Sequence, residues 1–573
     1  MEQMTDHIDF ALRQKINQLF ENGVWKSFDV PAFSVERPKD FSHGDYTVNL
    51  GFVLAQFVGE GPFVISGQIA DALDIEGVET VVAVGGYINF TLTQHVKVQI
   101  LQDIVHGEHS YLVHTGQKIL IEHTSPNLFK PFHIGHLVNN TIGESIVRLV
   151  ESTGAQTVRV SYPSDMSLGI AKAVWAARED RSVLLGNDVD IYEKMQFLGM
   201  CYVRGTKAYD EDSVAQGDIR SINRAIYTSE KTLDTDVYEA GKALSLAYLK
   251  DMAKLLGSSF DHFFFESQAG IEGQNIVNEN IGTVFEKSEG AIVYKGERDG
   301  LHTRVFLNKE GLPTYESKDI GLLALKFAQY KPDQSIIVTD AEQSEYYKVV
   351  LAAAARINND WSEKTVHITH GRLQFSGIKI SSRLGNVPLA EDIIANIISK
   401  VENKVKTSFE SRDIDPATMQ SIAIGAIKFA ILKVSVGKNI IFETEDALSF
   451  EGDSGPYLQY TYARTSSILR KAQEASPPHG DHQHAFDHDM GELVYLLSIA
   501  EEIMYNSAEK KAPHYIANHL LEVAHAYNRY YAQHKIIDQD SEHSSTRIFL
   551  TEATNAVLKR GLSVLGIDAL EVM

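Results

Sequence analysis

The stretch from Lys118 to Tyr162 constrains this chain more than any other. Lys118 to Glu122 (K-I-L-I-E) is a short apolar run of strand character, and Pro126 and Pro131 then enforce a loop. From Leu137 the pattern turns helical, with Ile142, Ile146, Leu149 and Val150 on the 3.6-residue spacing, and Gly154 closes the helix. Thr157 to Tyr162 is a new strand. Strand, loop, helix and strand within about 45 residues make a βαβ unit, which implies a parallel sheet. At the start of its helix stand His133, Ile134, Gly135 and His136. Gly135 lets a ligand approach the backbone closely, and the helix start offers unpaired N–H groups suited to phosphate. Two imidazoles flanking that glycine can hydrogen-bond phosphate oxygens and stabilise charge that grows in a transition state.

The rest of the chain arranges itself around this unit. A second set of βα units is expected near Ala291 to Ile380, with strands at Ile292 to Tyr294, Thr303 to Leu307 and Ser335 to Thr339 and a helix from Asp319 to Phe327. Helix-rich residues separate the two sets and read as an insertion splitting one nucleotide-binding domain. Before it, Ile8 to Phe20 has helical spacing, and Gly85-Gly86 joins two strands, Thr80 to Ala83 and Tyr87 to Leu92, in a small α+β unit. From Glu391 onward helical spacing dominates and strand signals vanish. The proline-, glycine- and histidine-rich run from Ser476 to Asp489 reads as a flexible polar connector rather than a metal site.

Composition removes several classes. Apolar residues at 44% and charged residues at 23% exclude disorder, collagen and coiled coil as the main state. The net charge, 53 basic against 76 acidic residues for −23, repels anions on average but leaves room for a local basic face on nucleic acid. The lone Cys201 rules out an internal disulfide and a cysteine-rich zinc site. No uncharged apolar run reaches the roughly 18 residues of a membrane span, and the N-terminus lacks a secretory pattern, so the expected address is the cytoplasm, with no membrane partner.

The His133–His136 tetrapeptide, H-I-G-H, is the hallmark of class I aminoacyl-tRNA synthetases, and the longer string from Ser125 to Leu137 resembles the arginyl-tRNA synthetase version. Lys379-Ile380-Ser381-Ser382-Arg383-Leu384-Gly385-Asn386 resembles the second class I motif in its arginyl form, S-x-R-x-G-N. There Ser382 replaces the usual second lysine, and Lys130 occupies the position of the family's upstream replacement. Tyr315 to Gly321 is similar to the family's Y-x-T-R-D-I-A helix, with Ser317 for threonine and Lys318 for arginine. Phe260 to Ser267 resembles F-D-x-x-x-x-E-S, and Phe450 to Arg464 resembles the entry into the anticodon-binding domain.

The resemblance implies an α/β multidomain chain. An N-terminal α+β domain (1–110) would contact tRNA, a Rossmann-like catalytic domain (111–390) would carry an insertion at about 170–290, and an all-α anticodon-binding bundle would span 391–573. It implies an arginine–tRNA ligase whose partners are ATP with Mg²⁺, L-arginine and tRNA(Arg), acting as a monomer. Lys130, His133, Gly135, His136, Lys379 and Arg383 would be catalytic, and His133, His136, Lys379, Ser381 and Ser382 would hold ATP. Asn127, Glu266, Tyr315, Asp319 and Gln343 would hold arginine, and Tyr457, Tyr460, Tyr531 and Met573 would meet the anticodon. Chemistry agrees with these types. A guanidinium needs planar carboxylates, which Glu266 and Asp319 supply, and aromatic faces suit splayed RNA bases. Another class I synthetase, a smaller H-I-G-H nucleotidyltransferase and a non-catalytic RNA-binding relative are the rival readings.

Overall fold

The computed structural model describes residues 4–108, 111–186, 189–375, 388–408, 415–475, 486 and 488–573. At its centre is a five-stranded parallel sheet of β1 (Lys118–Glu122), β2 (Gln156–Ser161), β3 (His262–Phe263), β4 (Gln334–Asp340) and β5 (Thr365–His370), in the order β5-β4-β1-β2-β3. Continuous apolar runs make this possible. Ile119, Leu120, Ile121, Ile336 and Ile337 are all buried, as a strand covered on both faces requires. Helix α1 (Ile134–Glu151) crosses from β1 to β2. The direction of winding reverses between β1 and β4, which opens a crevice at their carboxyl ends.

Two sequence expectations change here. Ala291–Tyr294 and Arg304–Leu307 do not join the parallel sheet; with Glu286–Ser288 they form a separate antiparallel sheet. The link between its first two strands is only Glu289-Gly290, both with positive φ, and so tight a turn returns the chain antiparallel where a parallel partner needs a long crossover. Strand character also persists beyond Glu391, because Ile440–Phe442 pairs in parallel with Leu373–Phe375. Three residues with one exposed outward side chain are too short a pattern to be read in sequence.

The N-terminal region has its own antiparallel sheet and an apolar core that includes Ile8, Leu12, Ile65 and Phe90, and its predicted hairpin turns at Gly85-Gly86, both at positive φ. It meets the C-terminal helices through Arg37, whose Nε lies 2.8 Å from Glu502 Oε2. The helix-rich segment predicted between the two sets runs from Leu168–Ala177 to Thr235–Leu255. At the C-terminus, long helices including Gly455–Ala475, His514–Gln533 and Ser544–Val564 pack as a bundle. That bundle is tied to α1. Ser145 Oγ donates to Val564 O at 3.0 Å, and Arg148 donates to Ser563 O at 3.1 Å and Gly257 O at 2.6 Å.

Candidate active site

A cavity of about 540 Å³ opens at the carboxyl ends of β1, β2, β4 and β5. Its lining brings together His133, Gly135, His136, Asn127, Glu266, Tyr315, Asp319 and Gln343, eight of the residues singled out in sequence.

One end of the cavity is the start of α1. His133 is its N-cap, and its Nδ1 accepts from the Gly135 N–H at 3.1 Å. His136 Nδ1 accepts from the His133 N–H at 3.3 Å, and the two rings stack with centroids 3.7 Å apart. Each Nδ1 is an acceptor, so in the neutral ring the proton resides on Nε2. Burial first, and the nearby Lys130 ammonium with it, hold both imidazoles below the usual histidine range, His136 far below. Both are therefore neutral Nε2–H donors at neutral pH. A Cβ on Gly135 would lie 3.0 Å from the His133 ring, so the glycine also keeps that ring in place. Lys130 lies with its Nζ 4.1 Å from the centre of the Tyr202 ring.

Lys379, Ser381, Ser382 and Arg383 lie outside the described residues. The chain on either side of them is anchored beside the signature. Leu373–Phe375 is held in its two-stranded sheet, Ile134 N donates to Pro388 O at 3.2 Å, and Ala390 N donates to Phe132 O at 2.9 Å.

The other end of the cavity is acidic. Asp319 lies in α3 (Tyr315–Tyr330) and Glu266 opens α2 (Glu266–Glu279). Asp319 accepts from the Tyr346 hydroxyl, and Tyr347 is also bonded to it. Burial, together with the charges of Glu122 and Glu266, pushes the Asp319 carboxyl up to about 8 against the Tyr346 bond and Lys326. Glu266 is not free: Lys318 Nζ lies 2.6 Å from its Oε2, and both side chains are buried. Glu122, at the end of β1, is matched in the same way by the fully buried Lys326 at 2.8 Å. Tyr162 presents a buried hydroxyl with no protein partner into the same space. Tyr315 stands at the rim, 62% exposed. Gln343 and Asn127 also line the cavity and are exposed.

Sequence reasoning missed Glu122, Lys326, Tyr346 and Tyr347. One signal was present: a glutamate ending an otherwise buried strand and two lysines on the buried face of a helix are charges that need partners.

In the C-terminal bundle the Arg464 guanidinium lies 4.7 Å from the Tyr460 ring and 5.1 Å from that of Tyr531, which is 38% exposed. Tyr457 departs from the expected stacking position. It is buried, and its hydroxyl accepts from Asn528 Nδ2 at 2.9 Å and pairs with His525 Nδ1 at 3.2 Å, which leaves no open ring face for a base. Its place in the first turn of Gly455–Ala475, facing His514–Gln533, decides this. Met573 is buried as well.

A doubly wound sheet with this histidine–glycine signature at its switch point, continued by a helical bundle, is the architecture of a class I aminoacyl-tRNA synthetase. Residues 99–444 match the family described as tRNA synthetases class I (R), catalytic domain, residues 6–92 the arginyl tRNA synthetase N terminal domain, and residues 458–573 the DALR anticodon binding domain. The chain belongs to the arginyl-tRNA synthetase family of that class. Among similar proteins are the arginine–tRNA ligase of Lactococcus lactis subsp. lactis (strain IL1403), 28% identical with 95% of this chain and 96% of that one covered, and that of Clostridium acetobutylicum, 27% identical with 98% and 99% covered. The structure of Thermus thermophilus arginyl-tRNA synthetase superimposes with a TM-score of 0.82 at 25% identity, covering 100% of both chains. That of the Plasmodium falciparum enzyme does so at 0.77 and 19% identity, also over 100% of both, a likeness of fold.

Proposed function

We propose the following division of labour within the family's reaction, ATP-dependent ligation of arginine to tRNA(Arg). The arginine carboxylate attacks the α-phosphorus of ATP in line, pyrophosphate leaves, and arginyl-adenylate forms. The terminal-adenosine hydroxyl of tRNA then attacks the arginyl carbonyl and AMP leaves. Such transfers need positioning and charge stabilisation rather than a protein nucleophile.

His133 and His136 donate through Nε2 to phosphate oxygens as charge grows on them, beside the N–H groups at the start of α1. Lys130, with Lys379, Ser381, Ser382 and Arg383 on the second motif, neutralises the departing pyrophosphate. Mg²⁺ accompanies ATP. Among the described residues no three or more His, Cys, Asp or Glu side chains group together to hold an ion, which suits an ion held by phosphates and water. Asn127 and Gln343 hold the arginine backbone, Tyr315 flanks the side chain, and Asp319 meets the guanidinium. Tyr460, Arg464 and Tyr531 form the face offered to anticodon bases. Residues 1–110, 111–390 and 391–573 serve as the tRNA-contacting, catalytic and anticodon-binding domains of a cytoplasmic monomer. No single described helix is long and apolar enough to cross a membrane.

One observation carries the choice of amino acid. Of three buried acids, Glu122 is paired with Lys326 and Glu266 with Lys318, and Asp319 is the carboxyl left without an ammonium partner, ready to ionise against a cationic side chain. ATP–pyrophosphate exchange with each amino acid in turn, with and without tRNA, tests the assignment. Arginine alone should support exchange, and equal exchange with a neutral amino acid would refute it.

A further inference from the structure

We propose that Lys318 is a specificity-determining positioning residue: it holds Glu266 in an internal ion pair and so leaves Asp319 as the single carboxylate that meets the substrate's positive side chain. The inference rests on the arginine reading of the pocket.

The pair is imposed by backbone packing. Helices α2 and α3 touch main chain to main chain, because a Cβ on Gly273 would fall 1.8 Å from Ser317 O and one on Gly321 2.0 Å from Ala269 O. With the helices locked at that distance, Glu266 at the start of α2 and Lys318 in the first turn of α3 are brought to 2.6 Å, with side chains 8% and 4% exposed. Lys318 Nζ also reaches the Tyr227 hydroxyl at 3.3 Å. A lysine is a point charge, where the family's arginine at this position is a planar fork; here it binds the one oxygen Oε2. On the facing side Lys326 compensates Glu122. Neither acid is then available as a full charge to a ligand, and Asp319, whose direct partners are the hydroxyls of Tyr346 and Tyr347, is left over.

The electrostatics agree with this assignment. Burial raises Glu266 and Lys318 opposes the rise, whereas Asp319 is pushed up to about 8. The empty pocket therefore keeps a proton on Asp319 at neutral pH, and an arriving guanidinium displaces it. The other titratable groups facing Asp319 are Glu122, Glu266, Lys326 and the hydroxyls of Tyr162, Tyr346 and Tyr347, and burial holds these three tyrosines well above the ordinary phenol range. Proton release on arginine binding thus counts carboxylates.

The test compares Glu266→Gln, Lys318→Met, the double variant and Lys318→Arg in the full chain, by arginine KM in pyrophosphate exchange and by calorimetric titration of arginine in buffers of different ionisation enthalpy. Glu266→Gln alone strands a buried ammonium beside the guanidinium, so the arginine KM should rise on the order of a hundredfold. The double variant removes both charges and should recover at least about tenfold of that loss. Lys318→Met alone leaves Glu266 uncompensated, so proton release near pH 7 should rise from about one toward two, while Lys318→Arg should stay near one. A double variant no better than Glu266→Gln would mean that Glu266 grips the guanidinium itself and would overturn the proposal. An unchanged proton count in Lys318→Met would do the same. Failure of the unmodified chain to bind arginine at all would instead sink the reading of the pocket. If Lys318→Met does not fold, the double variant, which buries no unpaired charge, still decides.

Discussion

At the histidine end of the cavity the groups lie within one turn of one helix. His133, Gly135 and His136 orient one another through backbone N–H bonds, and the same bonds that cap α1 set the tautomer of both rings. At the acidic end the groups come from five segments: Glu122 from β1, Tyr162 after β2, Glu266 from α2, Asp319 with Lys318 and Lys326 from α3, and Tyr346 with Tyr347 from Ser344–Ile357. One end is a local motif whose chemistry follows from neighbours in sequence. The other is a balance of buried charges that exists only when distant segments are packed. The first kind of site is robust to changes elsewhere, and the second depends on every member of the cluster.

The largest expected effect tests the local end. His136→Ala should lower kcat for arginine activation about 10²–10³-fold with arginine KM nearly unchanged, because one preorganised donor to growing charge is lost. Near-normal turnover in single-turnover exchange assays would remove His136 from the chemistry.

Next, Asp319→Asn should raise arginine KM about ten- to over a hundredfold while ATP KM holds, since a hydrogen bond to a charged group contributes about 1.5–3 kcal/mol. The amide keeps the shape and removes the charge, so discrimination against citrulline should also weaken. A raised ATP KM with an unchanged arginine KM would erase the distinction between the two ends.

A third measurement separates the ends by pH. The Asp319 carboxyl is raised to about 8 in the empty cavity, and on the proposed assignment its ionised form meets the guanidinium. Protons therefore compete with arginine below that value. Arginine KM should fall about tenfold per pH unit as pH rises toward 8 and level off above it. The histidines, held low by burial, stay neutral through this window and should add no step to kcat. A flat arginine KM between pH 6 and 8 would contradict the charge balance.

The smallest effect splits two roles within the local end. His133→Asn keeps a side chain that caps α1 but loses the Nε2–H donor, so melting should hardly move while kcat drops. His133→Ala should lose the cap too, at a further cost of about 1 kcal/mol in stability. Equal stability of the two variants would mean that the cap contributes nothing.

The βαβ unit, the helix-start signature and the pairing of Tyr315 with Asp319 on one helical face were legible in the chain, because each depends on spacing within a few residues of itself. Glu266 was legible as an acid of the pocket, but the ion pair it makes there was not. Its partner Lys318 is 52 residues away, and only the glycine contacts between α2 and α3 bring the two together. Tyr457 was misread for a similar reason. Helical spacing places an aromatic ring on a face, but the neighbouring helix decides whether that face meets RNA or Asn528.

By itself the sequence determined the class of fold, the helix start with its two histidines and several of the side chains gathered in the cavity, since local periodicity and backbone capping need no distant partner. Tertiary structure alone decided which acid is left without an ammonium partner. Burial removes water as a partner for every ion, so each charge is set by whichever segment of the chain is packed against it.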